Sequence, residues 1–330
     1  MKNHIFITLL YVLGIVLFSS CELYQEPEGN GVDPTDVTVD VELSVNLTLP
    51  EADDLRRSRA ASDEYMHRFV IEAVTSDYKI HDRRIVYEAV GSATRLNIPI
   101  SMRLHAREYN IIVWSDYVGA NDLESNIFYD PESLTPVYPV SPFKANNEYK
   151  DAFCGRVKID LRPYSDEWQA KIVSEIELSR PVGRYELIST DIKAFKNKVE
   201  NGIIGGKSFT ARIRYAGYVA TGFNVLEQTP KNMLNFLSYK TALNFKASDM
   251  EEMCIGFDYI MCRNLDFSLP LDLEVMDENG VVVSTTALSI PVMAGYNTTV
   301  RGRFLTNTSD GGAIIDGDYD GSIDIDLGEL

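Results

Sequence analysis

From Val37 to Leu49 every odd position is apolar and every even position is polar: Val37, Val39, Val41, Leu43, Val45, Leu47 and Leu49 alternate with Thr38, Asp40, Glu42, Ser44, Asn46 and Thr48. Successive side chains of a strand point to opposite faces, whereas a helix would scatter these apolar residues around its circumference. The segment can bury its apolar set only as a long strand with one face on a core and the other in solvent. A chain that commits so much of its length to one half-buried strand must supply a sheet around it and a second layer to cover it.

Further strands are expected at Arg68–Val74, Arg83–Ala89, Arg95–Ile100, Tyr109–Val118 and Ala152–Leu161. The run around Trp114 is apolar on both faces, as in a strand covered from both sides. Between Val118 and Glu148, Pro131, Pro136, Pro139 and Pro142 mark a long loop. Pro163 and the polar Tyr164–Trp168 stretch are placed as a domain boundary. Beyond it, strands are expected at Lys171–Arg180, Arg184–Thr190, Ser208–Val219, Ala242–Ala247, Met253–Cys262, Phe267–Asp277, Val281–Ile290 and Thr298–Thr306, with one short helix at Ile192–Val199. The turn Asp277-Glu278-Asn279-Gly280 reads as a hairpin in which Gly280 takes positive φ. The fold class is all-β: two tandem β-sandwiches, residues 37–165 and 166–306, with an acidic tail at 307–330 that holds a terminal or donor strand.

The N-terminus gives the compartment. Lys2 precedes an apolar run, Ile5–Phe18, which ends at Ser19-Ser20-Cys21. Such a run is too short to span a bilayer, and small residues before a cysteine are the pattern of a bacterial lipoprotein signal. The usual leucine three places before the cysteine is Phe18, with Leu17 one place early. Residues 1–20 are read as the signal and Cys21 as the lipidated residue, which anchors the chain to the outer membrane without spanning it. Residues 21–36 are acidic, contain Pro and Gly, and serve as a tether.

A formal charge of −18 and the absence of a basic face argue against nucleic acid as a partner. Apart from Cys21 only Cys154, Cys254 and Cys262 remain, an odd number, and Cys254 and Cys262 on one strand would lie about 26 Å apart, so free thiols are expected. The histidines are dispersed, and no metalloprotease helix, nucleophile elbow or phosphate-cradling glycine loop is present in the sequence. A Cys154–His105 nucleophile is weighed and set below a buried, inert thiol. The reading is that of a protein without catalytic residues or an organic cofactor. Tyr117, Phe128, Tyr129 and Tyr138 could stack on sugars or could pack the long loop onto its own domain. Near the C-terminus, Asp316, Asp318, Asp320 and Asp324 fall on the spacing of a calcium loop. Leu327 stands where the closing carboxylate belongs and no flanking helices are evident, so the calcium loop is set below an acidic turn that enters a final strand with Ile323, Ile325 and Leu327 on one face.

Five ordered landmarks carry a family resemblance: Tyr109–Val118 (YNIIVWSDYV), Lys150–Leu161 (KDAFCGRVKIDL), Ile176–Asp191 (IELSRPVGRYELISTD), Gly222–Leu226 (GFNVL) and Pro291–Thr306 (PVMAGYNTTVRGRFLT). In this order they resemble the fimbrillin-like surface lipoproteins of Bacteroidota. The resemblance implies transthyretin-like sandwiches in a cell-surface stalk, tip or anchor subunit, with related subunits as partners and no catalytic residues to carry over. Glu22, Glu26 and Glu28 resemble a surface-export tag of such lipoproteins. It also gives a meaning to Arg56, Arg57 and Arg59, which lie in the stretch of about seventeen residues after the first strand, longer than a usual connection. In that family an arginine-directed protease cuts after the first strand and opens a groove for a neighbour's strand; Arg57 and Arg59 match that position. Two functions follow as expectations: a structural or adhesive subunit of a fimbria-like assembly, or a monomeric surface lipoprotein that binds a glycan or host protein.

Overall fold

The alternating segment forms strand β1, Thr38–Thr48, and it lies in the middle of its sheet. The computed structural model describes residues 37–48, 64–91, 95–167, 169–245, 251–262, 267–306 and 322–326. After β1 come β2 (Tyr65–Val74), β3 (Ile80–Ala89), β4 (Arg95–His105), β5 (Glu108–Gly119), the two-residue strands β6 (Tyr129–Asp130) and β7 (Tyr138–Pro139), β8 (Phe153–Asp160) and β9 (Lys171–Leu178). A three-stranded sheet in the order β4-β1-β9 faces a four-stranded sheet in the order β3-β2-β5-β8. β1 runs antiparallel to β4, with Val41 opposite Met102, and parallel to β9, with Val41 opposite Ile172. The odd residues Val39 to Leu47 point inward and pack with Phe69, Ile71, Ile111 and Val113 of the facing sheet.

The second sandwich repeats the first. Its elements are β10 (Val182–Ser189), helix α1 (Ile192–Glu200), β11 (Phe209–Tyr215), β12 (Val219–Asn224), β13 (Thr229–Leu234), β14 (Ser238–Leu243), β15 (Met253–Met261), β16 (Phe267–Asp277), β17 (Val282–Val292), β18 (Asn297–Gly302) and β19 (Ser322–Asp326). The sheet β15-β10-β18-β19 faces β14-β11-β16-β17. Without β19, β12 and β13, the order and chain direction match the first sandwich strand for strand, with β10 in the place of β1 and β18 in the place of β9. Leu187, Ile213, Leu271, Leu273 and Val300 fill its core, and α1 closes one end by burying Ile192 and Phe195 on one face. Asp191, just before α1, accepts the backbone N–H groups of Leu305 (3.2 Å) and Thr306 (2.7 Å), which fastens the segment after β18 to the sandwich.

Two sequence expectations change, and one strand, β13, is added to them. β9 pairs with β1, so the first sandwich continues past residue 165 to Leu178, and the expected 165/166 boundary gives way to a crossover in the Ser179–Pro181 link. Pro163 lies in a 3-10 turn that only carries the chain from one sheet of that sandwich to the other. The expected strand Ser208–Val219 is two strands, because Ala216 donates its N–H to Pro270 (3.0 Å) and the chain then leaves the β11 sheet for the β12–β13 hairpin. β13 had no signal, since Pro230 interrupts a segment without alternation. Gly280 turns the β16–β17 hairpin at φ 81° as expected. The tail strand β19 lies parallel to β18 at the edge of its own sheet.

The two sandwiches share a third core. The outward face of the β3-β2-β5-β8 sheet presents Val70, Ile112, Trp114 and Cys154, which are covered by Phe128, Tyr129, Leu134 and Val137 of the long loop and by Phe223, Tyr259 and Met261 of the second sandwich. This accounts for the apolar character of β5 on both faces.

Candidate functional site

β1 is the central strand of the three-stranded sheet. It is hydrogen-bonded along both edges, and Val39, Val41, Leu43, Val45 and Leu47 are all at most 2% exposed. With Val37, six apolar side chains worth roughly 1.5–3 kcal/mol each amount to about 10–20 kcal/mol of gross burial. Without β1, β4 and β9 would bound an open slot whose floor is the apolar core. Because one wall is antiparallel and the other parallel to β1, only a strand of the same direction and alternation fits both. The even residues on the outer face are polar, and two of them carry ion pairs, Asp40 with Arg103 (3.1 Å) and Glu42 with Lys171 (2.5 Å).

The junction between the sandwiches is held by a short acidic and basic run, Glu148 to Asp151, beginning in a 3-10 turn. Asn147 caps this turn by accepting the Tyr149 N–H at 2.8 Å. Glu148 pairs with Arg184 (2.9 Å) and accepts the Tyr259 hydroxyl (2.8 Å), Lys150 pairs with Asp258 (2.8 Å), and Asp151 takes the Arg180 guanidinium (2.9 Å). The Tyr215 hydroxyl donates to Asp258 at 2.6 Å, and Tyr185 links Tyr215 to Tyr239 at 3.1 and 3.0 Å. Burial raises the Asp258 carboxyl and lowers the Lys150 ammonium, and their mutual contact opposes both shifts. On the first-sandwich side, Arg68 and Asp116 form a bidentate pair at 2.8 and 2.7 Å. None of these pairs had a sequence signal. Four consecutive polar or charged residues, Glu148 to Asp151, directly before an apolar strand were the available hint.

The sequence-derived sites fall as follows. Cys21, Arg57, Arg59, Asp316, Asp318 and Asp320 lie outside the described residues. Asp324 is in β19, its backbone opposite Thr299. Among the described residues no cluster of metal-ligating side chains is present. Cys154 and His105 are separated: His105 ends β4 in one sheet, while Cys154 belongs to the opposite sheet, packs in the junction core, and contacts the side-chain amide oxygen Oε1 of Gln228 at 3.7 Å. Burial pushes the Cys154 thiol up to about 12, far from a reactive thiolate. Cys154, Cys254 and Cys262 are free thiols. Of the four loop aromatics, Tyr117, Phe128 and Tyr129 are buried, and only Tyr138 is exposed. Tyr129 donates to the Lys150 carbonyl (2.8 Å) and meets Trp114 edge-on, so this group packs the loop onto the sheet and offers no stacking platform. No helix among the described residues is long and apolar enough to cross a membrane.

No curated protein matches the chain. Among solved structures it is similar to a candidate adhesin from Bacteroides ovatus, with 15% identity over 75% of this chain and 76% of that one and a TM-score of 0.44. It is similar also to the fimbrial anchor protein Mfa2 from Porphyromonas gingivalis, with 11% identity over 74% and 81% of the two chains and a TM-score of 0.42. A fimbrial assembly protein from Parabacteroides distasonis has 12% identity over 82% and 93%, with a TM-score of 0.39. Residues 34–328, which run through both sandwiches, match DUF6562, a family of unknown function, and the chain belongs to that family.

Proposed function

We propose that this protein is a non-enzymatic cell-surface lipoprotein, anchored in the outer membrane through lipid on Cys21, that acts as a structural or adhesive subunit of a fimbria or fimbria-like assembly. In this reading, cleavage at Arg57 or Arg59 releases β1 from the rest of the chain, and a strand from a like or related subunit takes its place. The observation that carries the reading is the position of β1: a central strand with a fully apolar inner face, connected onward only through the segment that holds the three arginines. An unfilled slot between two strand edges is a strong acceptor for an extended segment, because the backbone groups of both walls need partners. The tail, with Ile323, Ile325 and Leu327 at alternate positions, has the pattern such a slot requires. The test is electron microscopy of protein released from native membranes: filaments are expected from the wild type, and none from a variant with Arg56, Arg57 and Arg59 all changed to Ala. Equal numbers of filaments from both would refute the cleavage step, and filaments from neither would refute the assembly role.

A second reading, a monomeric lipoprotein that binds a glycan or a host protein, is favoured by one feature. At the open end of the β12–β13 hairpin, Tyr218, Met233 and Phe236 are exposed, Phe236 at 88% and with φ of 57°. An aromatic side chain held outward on a left-handed backbone is an unusual display. A ligand found by array screening whose affinity collapses in Phe236→Ala, with a monodisperse wild-type monomer, would favour this reading over assembly.

A further inference from the structure

We infer that the end of the first sandwich where β1 begins carries a binding site for a phosphate-like oxyanion, formed by His81, His105, Arg107 and Tyr109. β4 ends at His105 and β5 starts at Glu108, with Thr38 of β1 opposite His105. The turn between them is tight: the Arg107 N–H donates to the His105 carbonyl at 2.7 Å, and the Arg107 carbonyl accepts from Leu161 at 2.9 Å. Three side-chain donors around this one turn are buried without a hydrogen-bond partner: Nδ1 of His105, Nε of Arg107 and the hydroxyl of Tyr109. Tyr109 is 0% exposed. Native interiors leave few polar atoms unsatisfied, and three within five residues call for a common partner. The His81 ring stands edge-on to the Tyr109 ring at 5.4 Å and brings a fourth group to the cluster.

The partner is not a carboxylate of the surrounding strands, because those are already engaged. Asp77 is held by Lys79 (2.9 Å) and Thr75 (2.5 Å), Asp82 by Arg84 (2.8 Å) and Asp40 by Arg103 (3.1 Å). Glu108 is held by Lys158 (2.9 Å) and Arg162 (3.2 Å), and Asp160 by Arg162 (2.7 Å). Among the described residues no carboxylate is hydrogen-bonded to Arg107 Nε or His105 Nδ1, and Asp77, the one acidic group that acts on His81, is already engaged by Lys79 and Thr75. The His81 imidazole is lowered first by burial and then by the charges of Arg107 and His105, a repulsion that an anion between them would relieve. All four groups can donate, and a tetrahedral oxyanion offers acceptors in several directions, which suits a guanidinium fork beside single donors. The phosphate could be free or could belong to a phosphomonoester lipid headgroup, since β1, the first strand after Cys21 in the sequence, begins at this end. Only the headgroup source rests on the lipid-anchored reading.

The full mature chain should be titrated with inorganic phosphate against chloride at constant ionic strength, following the His81 ring protons by NMR and the melting temperature. Saturable binding that raises both the His81 pKa and the melting temperature is expected. Binding should weaken about tenfold or more in Arg107→Ala and several-fold in Tyr109→Phe, as befits loss of charge-assisted hydrogen bonds. Sedimentation with phosphatidate-containing and phosphatidylcholine-only vesicles then separates the sources. Binding to the first alone, lost in Arg107→Ala, assigns the headgroup, and phosphate binding without vesicle binding assigns the free ion. The proposal is overturned by the absence of a saturable effect on His81, or by equal affinity in wild type and Arg107→Ala. Should Arg107→Ala fail to fold, unchanged affinity in Tyr109→Phe overturns it.

Discussion

Lys150 and Asp258, 108 residues apart in sequence, meet at 2.8 Å with side chains 8% and 0% exposed. Lys150 comes from the segment leading into the last strand of the first sandwich's larger sheet, and Asp258 from β15 of the second sandwich. Both are removed from water, so the contact must offset a large desolvation cost, which Tyr215 and the backbone N–H of Tyr259 (2.8 Å) help to do. The pair fixes how the two sandwiches meet more than it adds to stability.

Removing one charge should therefore be costly. Lys150→Met strands a buried carboxylate and should lower stability by about 3–5 kcal/mol, and Lys150→Met with Asp258→Asn should recover part of it. Urea denaturation monitored by fluorescence of buried Trp114 measures both. A loss below about 1 kcal/mol in the single variant would mean that the junction relaxes to admit water.

Acid should weaken a second part of the same region. Burial alone would raise the Glu186 carboxyl, but Arg184 at 2.9 Å and Thr299 at 2.8 Å hold it below its ordinary 4.5. A depressed folded value contributes stability that is present above the unfolded value and is lost as pH falls through the folded one. Glu186→Gln should thus melt below the wild type at pH 7, and the gap should narrow as pH falls below the ordinary 4.5 and close once the depressed folded value is passed and protonation has made the two alike. A gap that is constant from pH 7 to pH 3 would place the effect in packing.

Thiol reactivity should follow burial. The Cys154 and Cys262 thiols are pushed up to about 12 and both are buried, while Cys254 is half-buried. Iodoacetamide at pH 8 should label Cys254 first, and Cys154 and Cys262 only after denaturation, as peptide mass spectrometry would resolve. Rapid labelling of Cys154 in the folded protein would contradict the junction core described above.

Much of this architecture was legible in the chain, and its limits have a physical origin. β1 could be read residue by residue because alternation is local, and the doubly apolar β5 announced that both its faces are covered. Which strands pair is not local: nothing in Lys171–Leu178 reveals that it lies beside β1, so the boundary fell too early. The β12–β13 hairpin escaped because Pro230 and the positive-φ residues Gln228 and Asn232 disrupt its pattern. Lys150 and Asp258 carried no signal, since ion pairs across 108 residues leave no periodic trace.

The tail strand should be dispensable for folding. β19 pairs only with the edge of β18, and each sandwich has seven other strands in matching order. A chain ending at Thr306, which keeps the Asp191 contacts, should retain its melting temperature within a few degrees by circular dichroism, and its self-association should weaken. Failure of this chain to fold would exclude a donated role for the tail.

The central claim is that β1 is a separable strand whose place another subunit's strand can take. Limited trypsin treatment of the mature protein, followed by N-terminal sequencing and light scattering, tests it most directly. The first cut should fall within Arg56–Arg59, and the cut protein should convert from monomer to a ladder of oligomers while the triple Arg→Ala variant stays monomeric. A first cut elsewhere, or cut protein that remains monomeric with β1 still bound, would contradict the claim.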